Sequence, residues 1–175
     1  QDSFGLFLKK TLVDSGIDIA GLTISKTEHT TLAFVSLDEK GNRSFDFYRA
    51  NSADVMLRRE EVPEELLAGC KLFHFGSVSM TAEPARDATL YAARRAKELG
   101  KLVSYDPNFR SALWGHRDEA IQAMLAGLAF ADVVKVSDDE VELLTGCRDF
   151  SEGARSLVSG GAKLALVTAG EQGTW

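Results

Sequence analysis

Short apolar runs alternate with longer segments of helical periodicity from residue 71 onward. The apolar runs predict four buried strands, at residues 72–75, 102–105, 133–136 and 164–167. The segments after them predict helices at about residues 83–99, 117–130, 138–144 and 151–158. Because strands that alternate with helices pair in parallel through right-handed crossovers, the pattern predicts an α/β fold with a mostly parallel central sheet.

The first 70 residues carry a different pattern. A predicted helix that ends at Gly16 places four apolar side chains on one face: Phe4, Phe7, Leu8 and Leu12. Residues 30–37 alternate apolar with polar side chains, residues 39–42 form a turn and residues 43–48 form a second strand, so a β-hairpin is predicted. We therefore divide the chain into the start of the α/β domain (1–29), the hairpin (30–53) and the α/β core (54–175).

Each of the four core strands ends in a polar or glycine-rich cluster. The clusters are His74 to Ser77, Asp106 to Arg110, Lys135 to Ser137 and Thr168 to Gly173. Parallel strands place their carboxyl ends on one edge of a sheet, where the ligands of open α/β proteins bind. We therefore expect one extended site built from all four clusters.

The second cluster carries the richest chemistry. Pro107 cannot continue a strand, so the chain turns there and presents Asp106, Asn108 and Arg110 together. Arginine offers a planar fork to phosphate or carboxylate, and Asn and Asp address hydroxyls or metal-bound water. This set suits a polyanion or a polyhydroxylated ligand.

Three other segments each have a structural and a functional interpretation. Thr168 to Gly173 is either an ordinary glycine turn or a loop whose amides approach phosphate. Ser137 and Glu140 have capping-box spacing, yet Glu140 could also lie near a metal or a phosphate-bound water. The segment after residue 46 is either a strand end with a solvated arginine or a lid that reaches a substrate with Arg49 and Asn51. No general base is evident.

Composition narrows the classes of partner. The formal charge of −6, the pI near 5.1 and the lack of a basic stripe argue against nucleic acid. No apolar run reaches membrane-spanning length and no signal peptide is present, so we expect a cytoplasmic protein without a membrane partner. Gln1 is not a start methionine, and Gly173 to Trp175 has the pattern of a turn that enters another strand. We therefore expect an interior segment of a longer protein.

Ordered motifs along essentially the whole chain resemble one family. They are Asp2 to Gly5, Phe47 to Asp54, Phe73 to Ser79, Ser104 to Arg110 with Leu113-Trp114, Ala131 to Glu140, Leu144 to Gly146 and Val167 to Gly173. In these residues the chain resembles the ribokinase-like sugar kinases of the phosphofructokinase-B type, and within them the fructokinases. The 2-keto-3-deoxygluconate kinases look similar over the same stretches.

The resemblance implies a three-layer α/β fold with a small β-hairpin lid, and transfer of the ATP γ-phosphate to a sugar hydroxyl with Mg²⁺. It assigns the catalytic role in this chain to Arg110, between sugar and phosphate. The implied substrate-binding residues are Phe47, Arg49, Asn51 and Arg110. The implied nucleotide- and phosphate-binding residues are Asp106, Asn108, Ser137, Thr168, Gly170 and Gly173. Glu140 is implied to organise the metal through water, and Ser137 stands where the wider family has Asn.

Two family motifs are absent from this chain: the Gly-Gly-x-x-x-Asn sugar-binding stretch and the Gly-Ala-Gly-Asp motif that carries the catalytic base. We therefore expect the chain alone to be inactive. We also expect it to be marginally stable, because a sheet that lacks strands at both ends leaves apolar edges open. Lids of this family often pair between subunits, and Ala33, Val35 and Phe45 give this hairpin an apolar face, so the resemblance implies a homodimer through the lid. A 2-keto-3-deoxygluconate kinase, a non-catalytic sugar- or nucleotide-binding module and an unrelated phosphate-binding domain remain alternatives.

Overall fold

One parallel sheet and one separate hairpin hold the β-structure of the chain. The computed structural model describes residues 2–39, 41 and 43–175. The hairpin pairs β1 and β2 antiparallel, and the sheet has the order β3-β4-β5-β6 with every pair parallel. The strands are β1 (Leu32–Leu37), β2 (Arg43–Tyr48), β3 (Leu72–Gly76), β4 (Leu102–Asp106), β5 (Val133–Ser137) and β6 (Leu164–Thr168). The predicted α/β fold is confirmed.

Six helices accompany these strands in the described part of the chain. They are α1 (Ser3–Asp14), α2 (Glu64–Gly69), α3 (Ala85–Glu98), α4 (Arg117–Leu128), α5 (Asp138–Thr145) and α6 (Phe150–Ser159). Each predicted core element is present, with its ends within about two residues of the prediction. The predicted turn at residues 39–42 includes Lys40 and Asn42, which lie outside the described residues.

The order of the strands decides where the core lies. Each strand pairs with the next one along the chain, and right-handed crossovers then place α3, α4 and α5–α6 on the same face of the sheet. Alternate strand residues on that face are fully buried: Val103, Tyr105, Val134, Val136 and Val167. On the opposite face Leu72, Leu102 and Leu164 stay 44%, 39% and 49% exposed. Among the described residues the sheet is therefore covered on one face.

Asp132 ties the amino ends of the strands together. Its carboxylate accepts hydrogen bonds from Lys97 Nζ at 2.8 Å and from the Val103 amide at 2.9 Å, and it lies 3.0 Å from Lys163 Nζ. Burial alone would raise the pKa of this carboxyl, but these donors outweigh burial and lower the pKa to about 2. Asp132 thus joins α3, β4 and the segment before β6 at the edge opposite the polar clusters.

The first helix begins at a side-chain cap. Asp2 accepts hydrogen bonds from the Gly5 amide at 2.8 Å and the Thr30 amide at 2.7 Å. The Thr30 amide, then the Gly5 amide, lower the pKa of the Asp2 carboxyl to about 2. The helix is present as predicted, but Phe4, Phe7 and Leu8 remain at least half exposed. No described helix has both the length and the apolar character that crossing a bilayer requires.

Candidate active site

The four polar clusters meet at the carboxyl edge of the sheet, as predicted. Gly76 pairs with Asp106 across β3 and β4, and Ser137 pairs with Thr168 across β5 and β6. Lys135 Nζ of β5 lies 3.2 Å from Asp106 Oδ2 of β4, and this ion pair links the two strand pairs to each other. Donors and acceptors from four consecutive strands therefore line one edge.

The turn after β4 is held from the side of β3. The Ser77 amide donates to the Pro107 carbonyl oxygen at 2.9 Å, and Ser77 Oγ donates to the same oxygen at 2.5 Å. Ser77 is fully buried. A Cβ on Gly76 would lie 2.8 Å from the Asp106 carbonyl oxygen, so glycine is what allows the two strand ends to approach this closely.

The same turn is held from the other side by Glu140. Its Oε1 accepts from the Phe109 amide at 2.5 Å, and its Oε2 accepts from the Ser137 amide at 2.8 Å. Ser137 Oγ accepts from the Glu140 amide at 3.3 Å, which confirms the predicted capping box. Because Glu140 is only 5% exposed, solvent screens the charge of its carboxylate little. Burial, then the charges of Glu140 and Asp106, raise the pKa of the Tyr105 hydroxyl.

Arg110 and Asn108 project from this turn toward solvent. Arg110 is exposed, and its Nη1 donates to the Phe109 carbonyl oxygen at 3.0 Å. Asn108 has a φ of 51°, a left-handed conformation that Asn adopts more readily than most residues. The backbone amide of Asn108 donates to Asp106 Oδ1 at 3.1 Å. A fixed turn thus presents one exposed guanidinium and one amide side chain at the predicted ligand edge.

The loop after β6 is organised largely by itself. The amides of Ala169, Gln172 and Gly173 donate to carbonyl oxygens within the loop, at 3.0, 2.9 and 3.3 Å. Gly170 and Gly173 have φ values of 51° and 102°, and Gly173 has a ψ of −149°, a region open essentially to glycine alone. Thr168 Oγ1 donates to the Val136 carbonyl oxygen at 3.3 Å. Phosphate binding by this loop stays a prediction, and these three amides have partners already.

Arg49 lies at the end of β2 and joins the hairpin to the core. Its Nε donates to Asp54 Oδ2 at 2.6 Å, Nη2 donates to the Val78 carbonyl oxygen at 2.8 Å, and Nη1 donates to Thr81 Oγ1. Only 10% of the Arg49 side chain is exposed, so the alternative of a strand end with a solvated arginine is wrong. Asn51 follows with a φ of 50° and is exposed.

The hairpin approaches the turn that carries Arg110. Strand β2 contacts the short 3₁₀ segment Ser111–Leu113, directly after Arg110. Phe47 is half-buried on β2 and stacks on Phe45, with ring centroids 6.0 Å apart. The hairpin therefore lies next to the segment that follows Arg110, and the substrate-binding role of its residues stays a prediction.

A direct metal site is not built into the described residues. No group of three or more His, Cys, Asp or Glu side chains in that part of the chain is arranged to hold a metal ion. Each oxygen of Glu140 accepts one backbone hydrogen bond, and only 5% of the residue is exposed. Contact through water, as the resemblance implies, stays a prediction.

Three residues that shape the site were not singled out from the sequence. Lys135 and Ser77 lie inside the predicted clusters, and their position at strand ends was a usable signal. Asp54 lies in a quoted motif, but its pairing with Arg49 could not be read from spacing. Burial would raise the pKa of the Asp54 carboxyl, yet hydrogen bonds from Thr31, Ser52 and Arg49 lower it.

Comparison with known proteins supports the resemblance to sugar kinases that the sequence motifs indicated. The model of the pfkB family carbohydrate kinases matches residues 1–175. Fructokinase-1 of Zea mays is 45% identical over 174 residues, which cover 99% of this chain and 54% of that protein.

Two crystal structures of bacterial fructokinases are similar to this chain. Fructokinase with bound ATP from Xylella fastidiosa has a TM-score of 0.86 and 37% identity, over 95% of this chain and 52% of that one. Fructokinase from Vibrio cholerae O395, in a form with fructose, ADP and calcium ion bound, has a TM-score of 0.87 and 33% identity, over 99% of this chain and 56% of that one. The chain spans about half the length of these relatives. Because the family model matches residues 1–175, the chain belongs to the pfkB family of carbohydrate kinases.

Proposed function

We propose that this chain is part of an ATP-dependent kinase that phosphorylates a hydroxyl of fructose. The turn from Asp106 to Arg110 carries this proposal, because Ser77, Lys135 and Glu140 hold it from three neighbouring elements and leave Arg110 exposed. Phosphoryl transfer depends mainly on positioning and on neutralising charge, and a fixed, exposed guanidinium supplies both. The fructose and ADP in the Vibrio cholerae relative favour this substrate pair.

The proposed roles follow the order of the elements around the edge. Arg110 acts between the sugar and the transferred phosphate. The hairpin residues Phe47, Arg49 and Asn51 form the sugar side, with Arg49 acting from the base of the hairpin. The nucleotide side is formed by Asp106, Asn108, Ser137, Thr168, Gly170 and Gly173. Closure of the hairpin would exclude water and so limit hydrolysis of ATP.

ATP is the proposed phosphoryl donor, and Mg²⁺ its counter-ion. Mg²⁺ usually binds substrate phosphates and keeps several waters, so it does not require a dedicated cage of protein ligands. Glu140 would act on the ion only through water, in addition to its hydrogen bonds to the Phe109 and Ser137 amides.

We also propose a cytoplasmic homodimer that associates through the hairpin. The apolar face predicted from the sequence is exposed here: Val35 is 54% exposed and Phe45 is 39% exposed, and the two are paired in register. Since the resemblance places the catalytic base in a motif that these 175 residues lack, we propose that they form no ADP on their own.

The test is ADP release by the full-length enzyme with ATP, Mg²⁺ and a panel of fructose, 2-keto-3-deoxygluconate, ribose and adenosine. Preferred turnover of fructose supports the proposal. Preferred turnover of 2-keto-3-deoxygluconate keeps the fold and the reaction but changes the substrate. Ligand binding without turnover of any compound would instead indicate a binding module and would remove the catalytic role of Arg110.

A further inference from the structure

At the base of the hairpin, the Asp54 carboxylate pairs with the guanidinium of Arg49, a residue on the sugar side of the proposed site. Arg49 Nε and Asp54 Oδ2 lie 2.6 Å apart, and the other two guanidinium nitrogens donate to Val78 and Thr81. Only 10% of the Arg49 side chain is exposed. All three nitrogens of this guanidinium therefore have a protein partner, and its positive charge has a counter-ion.

Three donors hold the Asp54 carboxylate, although 43% of its side chain is exposed. Ser52 Oγ donates to Asp54 Oδ1 at 2.8 Å, and Thr31 Oγ1 donates to the same oxygen. Ser52 is buried, and its hydroxyl also lies 2.6 Å from Thr31 Oγ1. Two hydroxyls and one guanidinium thus hold the carboxylate next to Arg49. The two side chains therefore form an ion pair of defined geometry.

This pair bears on the two substrates that the sequence leaves open. Fructose is neutral, whereas 2-keto-3-deoxygluconate carries a carboxylate that loses hydration in the site and needs a cation there. Arg110 is assigned to the transferred phosphate, and Arg49 is matched by Asp54. A sugar acid that approached Arg49 would meet the charge of Asp54 as well, while the hydroxyls of a neutral sugar would not be repelled.

We propose that Asp54 is a specificity-determining residue which, by pairing with Arg49, favours a neutral ketose over a sugar acid. The inference rests on the proposed function and assigns to Asp54 a role in choosing between its substrates. Asp54 acts through Arg49 and is in that sense a positioning residue. It lowers the affinity for the acid by opposing charge, so the effect belongs mainly in the KM for the acid.

The test compares Asp54→Asn with the wild type in the full-length enzyme. We measure kcat and KM for fructose and for 2-keto-3-deoxygluconate, and compare the ratio of kcat/KM for the acid to that for fructose. We expect Asp54→Asn to raise this ratio at least about tenfold, mostly through a lower KM for the acid. Asp46→Asn is the matched control, because Asp46 is an exposed carboxylate on β2 that is not a partner of Arg49.

The outcomes separate the two proposals. An unchanged ratio in folded Asp54→Asn, or an equal rise in Asp46→Asn, overturns the role of Asp54 and leaves the fructokinase proposal intact. A wild type that prefers the acid also overturns it, and a wild type without sugar turnover overturns both proposals. If Asp54→Asn does not fold, as judged by elution volume and near-UV circular dichroism, Asp54→Ser takes its place, since serine keeps an acceptor for Thr31 and Ser52.

Discussion

Glu140 shows how much of the candidate site depends on one buried carboxylate. It caps α5 through Ser137 and holds the turn that presents Arg110 through the Phe109 amide. The capping function was visible in the sequence, because Ser137 and Glu140 are three residues apart. The bond to Phe109 was not, because 31 residues separate the two partners and only the parallel register of β4 and β5 brings them together.

We expect Glu140→Gln to destabilise the protein by about 1–3 kcal/mol, because one amide donor then faces an NH₂ group and a buried hydrogen bond is lost. Urea denaturation of the full-length protein measures this change. Glu142→Gln is the control on the same helix, where Glu142 is 53% exposed and its ion pair with Arg148 is worth at most about 1 kcal/mol. Equal losses in the two variants would show that Glu140 does no more than a surface acid.

Asp132 makes stability depend on acid pH. Its folded-state pKa is about 2, below the ordinary value of 3.8. Between these values the unfolded chain binds a proton that the folded chain does not, so acid favours unfolding. We expect up to about 2 kcal/mol of stability, present above pH 4, to be lost as the pH falls toward 2.

The measurement is the free energy of unfolding between pH 5 and pH 2 for the wild type and for Asp132→Asn. The variant is expected to be less stable at pH 5 and to lose less on acidification. Parallel curves for the two proteins would show that Asp132 does not carry this part of the acid sensitivity.

At the scale of the elements, packing of α6 on α5 depends on a glycine. A Cβ on Gly153 would lie 2.2 Å from Val141 Cγ2, and Val141 is fully buried. The helical period predicted both helices, but nothing local to Gly153 shows which side chain it faces. The contact follows from the angle at which the two helices meet, which is a tertiary property.

We expect Gly153→Ala to cost about 1–3 kcal/mol through overpacking against Val141. In a Val141→Ala background the same substitution should cost much less, because the clashing methyl groups are gone. Gly69→Ala is the control, since an added Cβ there meets no heavy atom within 4 Å. Thermal unfolding of the four variants measures the coupling, and additive losses would contradict the direct contact.

Element boundaries followed from the sequence where the signal was local. Ser137 and Gly146 set the limits of α5, and Gly146 has the left-handed φ of 73° that ends helices. The burial of the apolar side chains of α1 could not be predicted from the sequence. Their period predicted a helix correctly, but burial depends on what packs against it, and in the described chain Phe7 is 66% exposed.

For the molecule as a whole, the hairpin presents an exposed apolar surface, as the sequence predicted. Four apolar side chains on its two strands are at least half exposed: Phe34, Val35, Leu37 and Tyr48. Exposed apolar area of this kind is typical of a contact surface. This exposure supports the proposed dimer.

We expect Val35→Lys to convert the full-length protein from a dimer to a monomer at micromolar concentration, because a charge would then lie in an apolar contact. Light scattering coupled to size-exclusion chromatography gives the mass. Val158→Lys on α6 is the control, since Val158 is similarly exposed at 46% but lies away from the hairpin. A monomeric wild type would reject the dimer altogether.

The strand order has a consequence for how the chain is made. Strands β3 to β6 lie in the sheet in the order in which they leave the ribosome. Each new strand and its helix can therefore dock on the unit that was synthesised just before, and no strand has to wait for a distant partner or be inserted between two others. We expect the core to assemble progressively during translation, with Asp132 joining α3, β4 and the segment before β6 at the end of the sheet opposite the candidate site.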